Sequence, residues 1–549
     1  MKRDCNILKD HLFDLLVIGG GIHGAATARQ LAIKGYDVAL VEKGDFCQAT
    51  SFNSLKILHG GLRYLQHADF KRMRESIRAR REFMKLAPHL VHPLACLMPT
   101  KGIGIKGKVA MKIALLLNDI ISFDRNKGLS KEIQLPQGRI LNRKETDIII
   151  PELGKDRISG SALWYDALLL NSERMLLLLL HQAVEHGATL SNYVTAEKIT
   201  DKGEYQEVVV KDLIQNKPFT VKSRKVINCA GPWINQLLDS KPSDASPISL
   251  AKAVNIVVDR NIFGEYAVAI EGSNTYQDKD AVINRGKRLF FFVPWQGKTM
   301  IGTTYNQCKL SETNLYTEKD DIKNMVTEIN TIFPAAKLET EDVVFSHLGL
   351  VPSFPSNEKE VEKTPRLVKH SEIIDHQKCD NINGVLSVRG VKYTTALQIA
   401  FDLEKILEQQ NFHPLTPKAK VNNTKKIKNS SKPQIPVHYF PHIARQYGEQ
   451  AETIYRILAE APENTKYLIN DPPLTVAEVL FFIREEMALN LSDVILRRSG
   501  LGTGGCPSKI ILQTIAKAMA NELNWTDEQY EKELQQVRHV YKRMNVQLP

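Results

Sequence analysis

The sequence predicts an α/β fold made of a Rossmann-like dinucleotide-binding domain, a second domain built on a mixed sheet, and an α-helical C-terminal domain. Three observations carry this. A compact apolar run, Phe13–Gly19, ends in glycines and leads into small and aliphatic residues at helical spacing over Ile22–Ile33. Apolar, strand-like segments recur through the middle of the chain, and beyond residue 436 the pattern is helical.

Taken in order, Phe13–Gly19, Ile22–Ile33 and Tyr36–Val41 form a strand, a helix and a second strand ending at Glu42, a βαβ unit of roughly the 30 residues such a unit needs. Asp69–Ala87 reads as a basic amphipathic helix, and Gly102–Arg125 as a glycine- and lysine-bearing stretch leading into an apolar helix. Trp164–Gly187 suggests one long helix, followed by strands at Glu207–Val210 and Val221–Ala230 and a break at GlyProTrp 231–233. Asn255–Val258, Leu289–Pro294 and Thr299–Thr304 fit a mixed sheet lying over a bound cofactor. Pro414–Pro436, rich in Lys, Asn, Ser and Pro, reads as a linker. At 549 residues, 43% of them hydrophobic, two or three domains with ordinary cores are expected. No internal repeat or heptad array stands out.

The chemistry starts at Gly19, Gly21 and Gly24, a Gly-x-Gly-x-x-Gly at the strand-to-helix junction. Glycines there permit a tight turn, close approach to a pyrophosphate and close helix–strand packing, with the phosphate on the helix N-terminus. Glu42 follows eighteen residues later at the end of the next strand, where a carboxylate suits ribose hydroxyls and disfavours a 2′-phosphate. NADP is thereby disfavoured, while FAD and NAD share the fingerprint. Thr50, Ser51 and LysIleLeuHisGlyGlyLeuArgTyr at 56–64 then occupy the position of the flavin-proximal stretch in flavoproteins with two dinucleotide-binding domains, and AsnCysAlaGlyProTrp at 228–233 looks like the strand that returns to FAD in that fold.

With IleGlyThrThr at 301–304 and Lys392, Thr394 and Thr395, these motifs run in the order seen in FAD-dependent glycerol-3-phosphate dehydrogenases, which the chain resembles over essentially its whole length. IleArgGluGluMetAlaLeu at 483–489 and SerAspValIleLeuArgArg at 492–498 resemble that family's C-terminal domain. The resemblance implies an FAD-dependent oxidoreductase region over 1–413. Its FAD-binding domain is discontinuous (about 10–85, 155–245 and 340–413), with substrate or cap segments at about 86–154 and 246–339, the linker at 414–436 and the helical domain at 437–549. It further implies hydride transfer from C2 of sn-glycerol 3-phosphate to the flavin, with electrons passed to a quinone. Gly19, Gly21, Gly24, Glu42, Thr50, Ser51, Lys56, His59, Gly60, Val194, Ala230, Gly231, Trp233, Gly390, Lys392 and Thr394 are the expected FAD residues. Arg63, Tyr64, Arg366, Arg389 and Lys392 are the expected substrate residues, and His59, Arg63 and Lys392 the expected catalytic ones. Arg63 offers a fork suited to phosphate or a structural ion pair. His59 suits a general base or a histidine packed near the flavin, and Tyr64 a substrate hydrogen bond or core packing.

The resemblance breaks on the substrate side. A GlyValArgPro-like motif, whose arginine binds phosphate in the family, reads GlyLeuValProSer at 349–353 and puts Val351 at that position. A basic position falls at His370, a family histidine becomes Asn255, GlyGlyLys reads GlyValLys at 390–392, and the TyrArg after it reads AlaLeu. Burying a phosphate dianion without cations is costly. Either Arg366, Lys369 or Arg389 compensates, or the substrate is a different hydroxy compound. An oxidase passing electrons to oxygen and an FAD-binding relative without turnover are the alternative functions.

A net charge of +11 favours anionic partners: a phosphorylated substrate, an anionic membrane or RNA. Basic runs such as Lys71–Arg81 lack the interleaved aromatics of RNA-binding modules, so no nucleic acid is expected. Seven scattered cysteines without a Cys-x-x-Cys pair argue against a metal site or disulfide framework. The N-terminus has no signal-type apolar core, and neither Met111–Phe123 nor Met175–Leu180 approaches the roughly 20 residues of a membrane span. The expected location is cytoplasmic. Lys101–Lys112 and the apolar residues after it suit either a peripheral patch on the inner membrane's cytoplasmic face or an ordinary cap-domain helix, and a homodimer is left open.

Overall fold

Strands buried on both faces pair in parallel, because crossover helices cover both sides of such a sheet. The computed structural model describes residues 1–102, 107–151, 158–237, 249–276, 286–308, 316–355, 365–416, 440–544 and 546. Among these, an eight-stranded sheet runs in the order Glu372–Asp375, Val385–Arg389, Lys217–Asn228, Leu12–Ile18, Val38–Val41, Thr189–Ser191. Leu12–Ile18 lies parallel to both of its neighbours, with Ile18 level with Asn228 and Val41, and Asn228 level with Ser387. Thr189–Ser191 is parallel too, with Ser191 level with Val41, so the carboxyl ends of five parallel strands finish along one edge. Val194–Asp201 and Gln206–Asp212 extend the sheet as antiparallel strands beside the first part of Lys217–Asn228.

The expected βαβ unit forms as read. The Ile22–Ile33 helix buries Gly24, Ala25, Ala26 and Ala28 and packs on the Ser172–Glu185 and Ala396–Gln409 helices. Its small residues bring it onto the strand: a Cβ at Gly24 would stand 1.8 Å from the Gly19 carbonyl oxygen. Gly19 itself adopts φ +109°, and a Cβ there would lie 2.5 Å from the Cys229 oxygen.

A nine-stranded sheet lies across from that edge, in the order Val343–Ser353, Ser249–Val258, Lys298–Cys308, Gly286–Trp295, Ala267–Tyr276, Val91–Lys101, Ile158–Leu169, Ile57–Leu58, with Arg139–Asn142 beside Ile158–Leu169. The segments expected at 255–258, 289–294 and 299–304 all lie in it. Val343–Ser353 and Ile158–Leu169, which the sequence reading grouped with the nucleotide-binding segments, hydrogen-bond here instead.

The single helix expected over Trp164–Gly187 is a strand, Ile158–Leu169, followed by a helix, Ser172–Glu185. The strand is buried almost throughout and so shows no alternation to separate it from the leucine run that follows. Asn171, whose side chain accepts from the Arg174 amide, marks where the helix begins. The basic helix expected at 69–87 forms as Phe70–Leu86, capped by Asp69. The apolar helix forms as Lys108–Ile121. From residue 417 to its end at 436 the expected linker lies outside the described residues. Beyond it the helices are interrupted by a hairpin, Tyr467–Asn470 with Pro473–Thr475, where AspProPro at 471–473 cannot continue a helix.

Gly24→Ala is expected to force the helix off the strand. Its urea midpoint should fall by the equivalent of about 1–3 kcal/mol, the usual cost of overpacking, and the protein should lose bound dinucleotide. An unchanged midpoint would contradict the packing described.

Candidate functional site

Parallel α/β sheets bind ligands beyond the carboxyl ends of their strands, and that edge opens here onto a cavity of about 1250 Å³. Its floor is Ile18, Gly19, Gly21, Val41–Gly44, Cys229–Leu237 and Val388–Tyr393, the residues at and just past four strand ends. The opposite wall comes from the larger sheet and includes Asn255, Thr303, Tyr305, Leu348 and Val351.

Of the residues expected from sequence, Gly19, Gly21, Glu42, Thr50, Ser51, Val194, Ala230, Gly231, Trp233, Arg389, Gly390 and Lys392 all line this cavity. Gly21 is the N-cap of a twelve-residue helix, whose N-terminus suits a pyrophosphate. The Ser51 hydroxyl accepts the Ile22 amide at 2.9 Å. The Glu42 carboxylate accepts from the Gly20 and Gly44 amides at 2.6 and 2.8 Å, while the Glu42 carbonyl receives the Val194 amide. Burial raises its carboxyl pKa against these two bonds. Thr50 clips the two sheets together, its hydroxyl donating to the Leu350 carbonyl and accepting from the Leu350 amide. The Asn228 side chain donates to the Ile234 carbonyl and fixes the GlyProTrp turn, where the Lys43 ammonium sits 3.5 Å from the Trp233 ring.

Other expected residues lie away from the wall. Gly24 supports it from beneath. The Lys56 ammonium, expected on the cofactor, is buried against the Phe52 carbonyl, the Ser172 hydroxyl and Glu173. Gly60 donates to Asp166 at 2.6 Å, and Thr394 is buried in the Tyr393–Thr395 turn. Arg63 is exposed on the Leu62–His67 turn, and Arg366 is exposed with its guanidinium over Phe354 at 4.7 Å. His370 is exposed too, and neither it nor Lys369 reaches the cavity. Tyr64 stands behind the wall, 4.4 Å from the Lys392 ammonium. His59 is 43% exposed, its Nδ1 3.1 Å from Asp166, whose carboxylate also accepts from Arg80. Burial alone would raise Asp166, but His59 and Arg80 hold it at about 2.

Among the cavity residues not singled out from sequence are His23, Tyr305 and Arg497. His23 occupies an unspecified position of the glycine motif. Its ring lies where a Cβ on Gly390 would fall, its Nε2 is buried without a hydrogen-bond partner, and burial pulls its pKa down to about 4. Tyr305 and Arg497 come from segments that no local pattern links to the glycines. On the cationic side, burial lowers Lys392 to about 8. Arg389 pairs with Glu372 at 2.7 Å while its Nε is buried without a partner. Thr303 donates to the Asn255 side chain at 2.7 Å on the opposite wall.

Residues 14–391 match the model of the FAD dependent oxidoreductase family, and residues 413–530 that of the C-terminal domain of alpha-glycerophosphate oxidase. A glycerol-3-phosphate dehydrogenase of Synechocystis sp. is 29% identical over 98% of both chains. An aerobic glycerol-3-phosphate dehydrogenase of Staphylococcus epidermidis is 26% identical over 91% of this chain and 89% of its own. Among solved structures, glycerol-3-phosphate dehydrogenase from Bacillus halodurans complexed with FAD shares the fold, with a TM-score of 0.71 and 23% identity over 99% of this chain and 98% of that one.

Proposed function

The chain belongs to the FAD dependent oxidoreductase family, and from that premise we propose that it oxidises sn-glycerol 3-phosphate to dihydroxyacetone phosphate with a quinone as electron acceptor. The cavity fits FAD. The glycine cradle and helix N-terminus suit its pyrophosphate, Glu42 its ribose, and the unpartnered Nε2 of His23 offers a further polar contact. FAD, when bound, supplies the hydride acceptor.

The observation that carries the substrate is the Arg389–Lys392 segment, which sets two cations at the cavity. Arg389 is the one member of the trio Arg366, Lys369 and Arg389 on its wall, so it takes the compensating role left open by Val351. Asn255, Thr303 and Tyr305 face it as neutral hydrogen-bonding groups suited to the hydroxyls. The relatives named glycerol-3-phosphate dehydrogenases support the same substrate. Oxidation of another hydroxy compound is favoured by a different observation: Val351 puts an apolar side chain on the wall where the resemblance puts an arginine.

No helix among the described residues is long and apolar enough to cross a membrane. The Lys108–Ile121 helix nevertheless leaves Val109, Ile113, Leu116, Leu117 and Ile120 exposed, with Phe123 beyond it 79% exposed and the Lys112 side chain beside them. Apolar side chains flanked by lysines on one helix suit the interface of an anionic bilayer. We propose that this face lies on the membrane, where quinone is found.

Anaerobic addition of sn-glycerol 3-phosphate should bleach the flavin, with glycerol as control. Bleaching by other alcohols alone would leave the FAD site intact and remove the substrate assignment. Because Lys392 carries its charge below about 8 and loses it above, kcat/KM for flavin reduction, which reports the free enzyme, should fall as pH rises through that value. Lys392→Arg, charged throughout, should move the fall to higher pH; an unmoved profile would free Lys392 of the role. Leu116→Glu with Ile120→Glu should cut co-sedimentation with phosphatidylglycerol vesicles at least tenfold and leave flavin reduction unchanged, whereas retained binding would exclude this face.

A further inference from the structure

The helical C-terminal region reaches the FAD cavity. Asn490, Ser492, Leu496 and Arg497 line it in company with Glu42 and Tyr193. Tyr193 ties the segment to the end of the second strand of the βαβ unit, its amide donating to the Gly44 carbonyl and its hydroxyl to Asp493, and this is the end of the cavity where Glu42 suits a ribose. Four of the lining positions thus come from a segment more than 440 residues away from Glu42 in sequence.

The contact is fixed by charge. Asp45, three residues past Glu42, is fully buried. Arg498 reaches its two oxygens at 2.8 and 2.9 Å, and Arg497 adds a third bond at 2.6 Å. Arg497 also donates to Asp493 at 2.7 Å, and Asp493 accepts the Tyr193 hydroxyl at 2.7 Å. Asn192 bridges Asp45 and the Met487 carbonyl. Arg174 closes the set on Glu486, giving three carboxylates against three guanidiniums, all buried. The turn that carries Asp45 also holds the fingerprint, since the Gly44 amide donates to Glu42 and the Cys47 amide donates to the Gly20 carbonyl.

We infer that the C-terminal region is part of the FAD site. Arg497 and Arg498, acting through Asp45, are positioning residues for the Glu42–Cys47 turn, and the Asn490–Arg497 segment closes the ribose end, so FAD is retained only while the region is docked. The inference is independent of which alcohol is oxidised. By linkage, what docking does for FAD affinity FAD must do for docking.

Hydrogen–deuterium exchange on the full chain, with FAD bound and after its removal, reads this directly. Amides of Ala488–Arg498 should lose at least tenfold protection when FAD leaves, and equal protection in both states overturns the inference. Two variants read the reverse direction by flavin fluorescence. Ser492→Phe, outside the ion-pair set and pointing bulk at the cavity wall, should weaken FAD binding at least tenfold with the melting of the FAD-free protein unchanged. Asp45→Asn should weaken it as well and open exchange across Met487–Arg498. A Ser492→Phe protein that folds and binds FAD as tightly as the parent would also overturn the inference.

Discussion

Asp45 is the residue on which the halves of this molecule meet. It is a single carboxylate sealed from water between two arginines from the far end of the chain. Burial by itself would drive its proton on, but the coulombic field of Arg498 and Arg497 outweighs that and keeps it ionised. Such clusters are weak evidence of net stability, because desolvation offsets most of the attraction. Their effect is conditional. Once the charges are buried, losing one partner costs about 3–5 kcal/mol, against a total stability of about 5–15 kcal/mol. A cluster of this kind therefore penalises any arrangement that separates Asp45 from Arg497 and Arg498.

The same reasoning explains what was and was not legible in the sequence. The βαβ unit was legible because most of its signals are local: Gly24 acts through Gly19 and the Glu42 carboxylate through Gly20 and Gly44, all within a few tens of residues, and the bound that matters, 1.8 Å between a Gly24 Cβ and the Gly19 oxygen, is set inside one turn. The motifs at 483–489 and 492–498 were recognisable as a resemblance, but the partners of Glu486 and Arg498 were not, since Arg174 and Asp45 lie 312 and 453 residues away. Trp164 was assigned to a helix because a strand buried almost throughout has no period of its own to read.

Within the site the split is similar. Residues at strand ends reached the cavity wherever the glycine motif or its partner strands placed them. Arg63 and Arg366 were expected there as cations in the right order along the chain, but order does not say which side of a turn faces inward. His23 was given no role, because the unspecified positions of a glycine fingerprint carry no chemical expectation. Its significance came from an unpartnered nitrogen beside Gly390.

Val351 and Lys392 together change how an anion is held. An arginine is charged at every accessible pH, so a site built on one presents a fixed cation. Here one of the two cations on the Arg389–Lys392 segment is a lysine lowered by burial to about 8, so part of the population is neutral before anything binds. An anionic ligand placed near that ammonium favours its charged form and raises its pKa. Anion binding is then coupled to proton uptake around neutral to mildly alkaline pH, and a neutral alcohol gains nothing from the same lysine. On this reading Lys392 adds a pH-dependent contribution to anion binding beside the fixed charge of Arg389.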